Sequence, residues 1–242
     1  MKAVVLLSGG LDSTTVAAHA VRAGYDVRGL SIGYGQLHAR ELDSARRVAA
    51  ELRIPLQVVD ASFYANLASY SALTDSATHA LPTARNVETM ATDIPITYVP
   101  LRNTFFVTLA AAALENWMLT LIERDGAEPG SLKPAIFVGA NAIDYSGYPD
   151  CRPEFYESIA EVLRLGSKLG TAYGVRMAIE APIIHMSKAE IARYGTEIGA
   201  PLAFTWSCYE GGERPCGVCD SCLLRAAGFA EAGIPDPALT GA

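Results

Sequence analysis

The sequence predicts an α/β protein built on a parallel sheet, and three observations carry that expectation. Short apolar runs alternate with helical patterns, so that residues 3–7, 13–23, 26–32, 39–52 and 56–59 read strand, helix, strand, helix, strand. The first strand runs straight into two glycines and a helix start, Ser8-Gly9-Gly10-Leu11-Asp12-Ser13. Half of the 242 residues are hydrophobic, enough to cover both faces of such a sheet.

The first helix closes on Gly24, placed as a glycine that ends a helix. Residues 26–32 form the second strand and lead into Gly33-Tyr34-Gly35. In 39–52, Leu42, Ala45, Val48, Ala49 and Leu52 recur at the helical period. Residues 69–95 are rich in Ser, Thr, Ala and Asp and lack a period, so they read as a long loop, a length usually tied to function. Asn103 or Thr104 is placed to cap a helix that runs to about residue 122, and 124–134 reads as a surface insertion. Residues 135–138 are a fourth strand and 153–169 a helix; Ser187-Lys188-Ala189-Glu190 fits a capping box that opens another. Residues 1–200 are expected to form the main domain, with 201–242 a metal-binding segment packed on it.

Composition excludes some classes of function. The net charge is −7 and no run is rich in Lys or Arg, so no nucleic-acid partner is expected. The N-terminal apolar run is too short for a signal peptide, and the longest other one, 105–114, falls short of a membrane span. A cytoplasmic protein without disulfides is therefore expected, and clustered cysteines read as metal-binding or catalytic.

Two motifs carry chemistry. Leu7, Ser8, Gly9, Gly10, Leu11, Asp12, Ser13, Thr14 and Thr15 span a strand-to-helix turn, where free N–H groups and the helix dipole favour a phosphate. The turn lacks the lysine of the GxxxxGK[ST] loop and is a different nucleotide cradle. Cys208, Cys216, Cys219 and Cys222 lie within fifteen residues, the last three as Cys-x-x-Cys-x-x-Cys. Four thiolates suit a closed structural zinc site. They would also suit an iron–sulfur cluster, and unligated buried thiols are the third reading.

These stretches together resemble one family. Ser8-Gly9-Gly10-Leu11-Asp12-Ser13 matches the SGGxDS loop of the PP-loop ATP pyrophosphatases, whose domain is Rossmann-like, of the adenine nucleotide alpha-hydrolase type. Tyr34-Gly35-Gln36-Leu37-His38 with Glu41-Leu42, Val99-Pro100-Leu101-Arg102-Asn103, the block from Asp144 to Phe155, and the cysteine segment resemble the 7-cyano-7-deazaguanine synthases. The resemblance implies that 7-carboxy-7-deazaguanine, ammonia and ATP with Mg²⁺ yield 7-cyano-7-deazaguanine through adenylated acid and amide. It also implies a homodimer. It assigns catalytic roles to Asp12, Arg102 and Lys188, and substrate contacts to Tyr34, Gln36, His38, Arg102, Asn103, Asp144, Tyr148, Asp150, Arg152 and Glu154. Leu101 stands where the family usually has glycine, and 116–133 looks longer than the usual connection; a leucine near the substrate would reshape the pocket.

Each assignment has a plainer counterpart. Asp12 can bind magnesium, cap the helix, or do both, and Ser8 and Ser13 can be turn and cap residues. Lys188 can be a solvated charge and Arg102 a surface arginine. Cys151 is read as a small buried residue rather than a nucleophile, Trp117 and Trp206 as packing, and His19, His79 and His185 as structural. The competing functions are a family variant that stops at the amide or uses another amine, a tRNA-modifying thiolase, and a non-catalytic zinc module.

Overall fold

The computed structural model describes residues 1–34, 40–75, 78–79, 94–141 and 148–240. Five strands, β1 (Lys2–Leu6), β2 (Asp26–Gly33), β3 (Leu56–Asp60), β4 (Pro134–Phe137) and β5 (Ala178–Glu180), form one sheet in the order β3-β2-β1-β4-β5. All four pairings are parallel, with Val5 of β1 opposite Gly29 of β2 and Phe137 of β4. The helices are α1 (Leu11–Arg22), α2 (Arg40–Glu51), α3 (Phe63–Leu67), α4 (Arg102–Glu123), α5 (Pro153–Gly166), α6 (Lys168–Tyr173), α7 (Lys188–Glu197), α8 (Asp220–Ala232) and α9 (Pro237–Thr240).

Side-chain alternation along each strand divides the core into two layers. Val4, Leu30 and Ile136 pack with Val107, Ala110, Leu114 and Met118 of α4, Ile159 of α5 and Leu169 of α6. Ala3, Val5 and Phe137 face the other way, onto Val16 and Ala20 of α1, Val48 of α2, Ile191 of α7 and Phe229 of α8. The chain winds from β1 outward to β3 and returns to place β4 on the far side of β1. A crevice opens at the carboxyl ends of strands where the winding reverses, here between β1 and β4.

Several expectations are corrected. The helix read as 153–169 is two, because the Ser167 hydroxyl accepts from the Gly170 N–H and starts α6 afresh. The three-residue strand β5 was not anticipated; none of its residues is fully buried, so no apolar run marks it. The apolar stretch 105–114 belongs to α4, a 22-residue helix long and apolar enough to cross a membrane by length and composition. It packs on the sheet through Val107, Ala111, Leu114 and Met118. The segment 116–133 is the end of α4 followed by a turn with a short 3-10 helix at Pro129–Ser131, and none of its residues lines the central cavity.

Leu101 departs from expectation in an instructive way. It precedes α4 at φ 54° and ψ 21°, the left-handed region, and its side chain is 63% exposed. It does not line the cavity, so a leucine here strains the backbone rather than reshaping the pocket. Left-handed leucine costs about 1–2 kcal/mol, offset in part by the larger unfolded-state entropy of glycine. Leu101→Gly is expected to raise stability by up to about 1 kcal/mol in urea titration while leaving the product unchanged.

Candidate active site

A cavity of about 320 Å³ lies at the carboxyl ends of β1, β2 and β4. One part is built by the turn between β1 and α1. Gly10 occupies the N-cap position with no side-chain cap, so the first N–H groups of α1 have no intrahelical acceptor. Ser8 and Ser13 bring their hydroxyls within 3.0 Å of each other. Asp12 does not cap the helix. Its two carboxylate oxygens each accept from Lys188 Nζ at 2.9 Å, across 176 residues of sequence.

Two close approaches hold this arrangement. Gly9 sits at φ +88°, and a Cβ there would lie 2.5 Å from the Ala45 nitrogen and 2.6 Å from the Glu41 carbonyl oxygen. This turn is therefore pressed onto the start of α2, which only glycine permits. Lys188 opens α7 within a complete capping box: the Ser187 hydroxyl accepts from the Glu190 N–H, and the Glu190 carboxylate accepts from the Ser187 N–H. Its stem runs over Gly228 of α8, where a Cβ would meet Lys188 Cγ at 2.5 Å.

The other part holds Tyr34, Glu41, Arg102, Asn103, Tyr148, Cys151 and Tyr156. Burial works against the Arg102 charge, but Tyr34, Tyr148, Asp150 and Cys151 around it raise its pKa above the usual range, so the cation is secure. Asp150 accepts from the Asn103 N–H at 3.1 Å, and the Asn103 amide donates to the Asp150 carbonyl at 3.1 Å. The cap of α4 thus comes from a carboxylate distant in sequence rather than from Asn103 or Thr104. Asp150 Oδ1 is buried without a partner among the described residues, and burial raises the Asp150 pKa, with Arg102 pulling it down. Burial also pushes the Cys151 thiol up to about 11. It stays protonated at neutral pH and is a poor nucleophile.

The cysteine segment forms a further wall. Trp206, Ser207, Cys208, Tyr209, Ser221 and Arg225 all line the cavity. The Trp206 backbone N–H donates to the Gly9 carbonyl at 3.0 Å, joining this segment to the turn between β1 and α1. Arg225, buried, grips Asp236 with two hydrogen bonds of 2.6 and 2.8 Å and also donates to Ser207 and Thr205. The four sulfurs of Cys208, Cys216, Cys219 and Cys222 lie within 4.8 Å of one another. Zn–S bonds of about 2.3 Å set tetrahedral sulfurs about 3.8 Å apart, so small shifts would close the set on a single metal ion. Backbone N–H groups of Glu210 and Cys216 donate to the Cys208 sulfur, and that of Cys219 to the Cys216 sulfur.

The structure therefore brings Leu7, Ser8, Gly10, Leu11, Asp12, Ser13, Tyr34, Arg102, Asn103, Tyr148 and Lys188 to one cavity. Gly9, Thr14 and Thr15 support the turn from behind. Thr15 donates to its own helix at the Leu11 carbonyl, and the buried Thr14 hydroxyl has no partner among the described residues. Asp150 sits behind the wall as a helix cap. Arg152 and Glu154 are exposed at the start of α5 and do not line the cavity, because Pro153 begins a helix there that carries them outward. Gln36, His38 and Asp144 lie outside the described residues. Trp206, expected to be packing, is a cavity wall, and the Arg40 guanidinium lies 5.6 Å from its ring. Glu41 and Ser207 were visible only within the Tyr34–Leu42 and cysteine-segment motifs, while Asn141 and Tyr156 carried no local signal.

The family model described as "Queuosine biosynthesis protein QueC" matches residues 2–233. A 7-cyano-7-deazaguanine synthase from Thermoplasma acidophilum is 47% identical over 98% of this chain and 90% of its own length. One from Trichodesmium erythraeum is 46% identical over 98% of this chain and 99% of its own. The family match over residues 2–233 and identity at that level place the chain in the QueC family of 7-cyano-7-deazaguanine synthases.

Proposed function

We propose that this chain is a carbon–nitrogen ligase that joins ammonia to 7-carboxy-7-deazaguanine at the expense of ATP and carries the product on to 7-cyano-7-deazaguanine. The observation that carries the reading is the single cavity in which the phosphate turn, with Lys188, and a buried-side arginine, Arg102, are both walls. The first is suited to a nucleotide, the second to a carboxylate.

The chemistry follows from what each part can do. A carboxylate oxygen is a poor leaving group, so it attacks the α-phosphorus of ATP and takes on AMP, and pyrophosphate departs. The N–H groups at the start of α1, the Ser8 and Ser13 hydroxyls and the Lys188 ammonium receive the negative charge on the departing phosphates. Arg102 orients the acid. Ammonia then attacks the activated carbon, the C–O bond breaks with its electron pair on AMP, and a proton leaves the nitrogen. In a second round the amide oxygen takes AMP from another ATP. The nitrogen gives up two protons, AMP departs with the C–O electron pair, and the nitrile remains.

Asp12, which lines the cavity together with Ser8 and Ser13, suits magnesium carried in with ATP, since that ion takes few protein ligands and fills the rest with phosphate and water. Bound there, magnesium would neutralise the charge that builds on the phosphates. The four cysteines suit structural zinc. A homodimer has a candidate face beside the β3 edge, where Phe63, Leu67 and Tyr70 are each more than half exposed; light scattering tests it. A cytoplasmic location supplies ATP and keeps thiols reduced. The protonated Cys151 argues against a thiolase, and the exposed Leu101 gives the amide-stopping variant no support.

The test is incubation with 7-carboxy-7-deazaguanine, ammonium and Mg-ATP. Mass spectrometry is expected to show the amide and then the nitrile, with AMP and pyrophosphate by phosphorus NMR. Accumulation of amide alone, or no product, would refute the reading.

A further inference from the structure

Ammonium at neutral pH has no lone pair to attack with, so the ligase reading requires a group that takes a proton from it inside the cavity. Lys188 and Arg102 are cations and unsuited to that task. Asp12 is bound through both oxygens to Lys188. Asp150 faces the N-terminus of α4 and is not a cavity wall. Among the described carboxylates that line the cavity, Glu41 remains.

Its placement is specific. Glu41 lies in the first turn of α2, with its backbone packed against Gly9 of the phosphate turn. The titratable groups that face it are the Arg102 guanidinium from α4 and the Tyr34 phenol just past β2. It therefore stands between the nucleotide loop and the arginine assigned to the acid, where the carboxyl–AMP bond would form. We propose that Glu41 binds ammonium in this cavity and takes its proton, delivering ammonia to the adenylated carbon. The proposal rests on the ligase reading above.

Burial raises the Glu41 pKa and Arg102 lowers it, leaving it at about 7, close to the pH at which a base is most effective. The step balances. The carboxylate accepts one proton from ammonium, ammonia supplies the electron pair for the new C–N bond, and AMP departs with the pair from the broken C–O bond. The proton on Glu41 and the one then lost from nitrogen leave to solvent. Because the base form is the carboxylate, amide formation should rise as pH increases through about 7 and then level.

The experiment compares the wild type with Glu41→Gln. ATP–pyrophosphate exchange dependent on the acid reports adenylation alone and is expected to be within about threefold of wild type. Amide formation from ammonium is expected to fall about 10²–10⁴-fold, the usual contribution of a positioned base, and to lose its rise near neutral pH. Hydroxylamine, which is largely unprotonated at that pH, should trap the adenylate in the variant at the wild-type rate. Undiminished use of ammonium by the variant would overturn the proposal, as would equal loss of ammonium and hydroxylamine reaction with exchange intact. Absence of exchange in the wild type would instead remove the ligase reading, and Glu41's role with it.

Discussion

Lys188→Met is expected to reduce pyrophosphate release by about 10²–10³-fold, the loss typical of removing one aimed charge donor from a transition state. Methionine keeps a long stem to pack over Gly228, so the change isolates the ammonium. That ammonium is 2.9 Å from each oxygen of Asp12, and the residue is only 8% exposed. Removing it leaves the carboxylate unpaired beside the phosphate site, where it would repel the nucleotide. The fold should survive, because α7 is started by Ser187 and Glu190 rather than by the lysine. Circular dichroism checks the fold and a coupled pyrophosphate assay the activity; a loss below about tenfold would reduce Lys188 to a packing residue.

The second large effect concerns the metal proposed at the four cysteines. Stripping it by chelation is expected to lower the melting temperature by more than about 10 °C, since structural zinc contributes about 10 kcal/mol or more where it organises a small segment. The loss should reach the nucleotide site. The segment that carries Cys208 donates through Trp206 to Gly9, and α8, which begins at the last two cysteines, supports Lys188 through Gly228. Weaker ATP binding by calorimetry should therefore accompany faster amide exchange at Trp206. Chelation that leaves ATP affinity unchanged would show that the cysteine segment is a passive staple.

Much of this was legible locally. The strand-to-helix turn at Ser8–Ser13, the capping box at Ser187 and Glu190, and the clustering of four cysteines are signals complete within a few residues, and the structure shows the helix start, the box and the cluster. Three of the misses share a cause, which is that their partners lie far away along the chain. Asp12 read as a cap or magnesium ligand because Lys188, its partner here, is distant in sequence. Asp150 read as a substrate contact, whereas it completes the start of α4 through Asn103. Trp206 read as packing because nothing nearby in sequence shows that its backbone N–H reaches Gly9 and sets the residue in the cavity wall. Leu101 read as a pocket residue from its neighbours Arg102 and Asn103, and only its backbone angle explains why glycine suits that position. Arg152 and Glu154 shared a motif with Tyr148, but Pro153 turns the chain into a helix and carries them out of the cavity.

The most direct measurement follows oxygen. With both carboxyl oxygens of 7-carboxy-7-deazaguanine enriched in oxygen-18, a single turnover with Mg-ATP and ammonium should place the label in the phosphate of AMP and none in pyrophosphate. Label in inorganic phosphate with ADP as the nucleotide product, or AMP carrying only solvent oxygen, would mean that the acid does not attack the α-phosphorus of a nucleotide whose departing phosphates the Ser8–Ser13 turn receives.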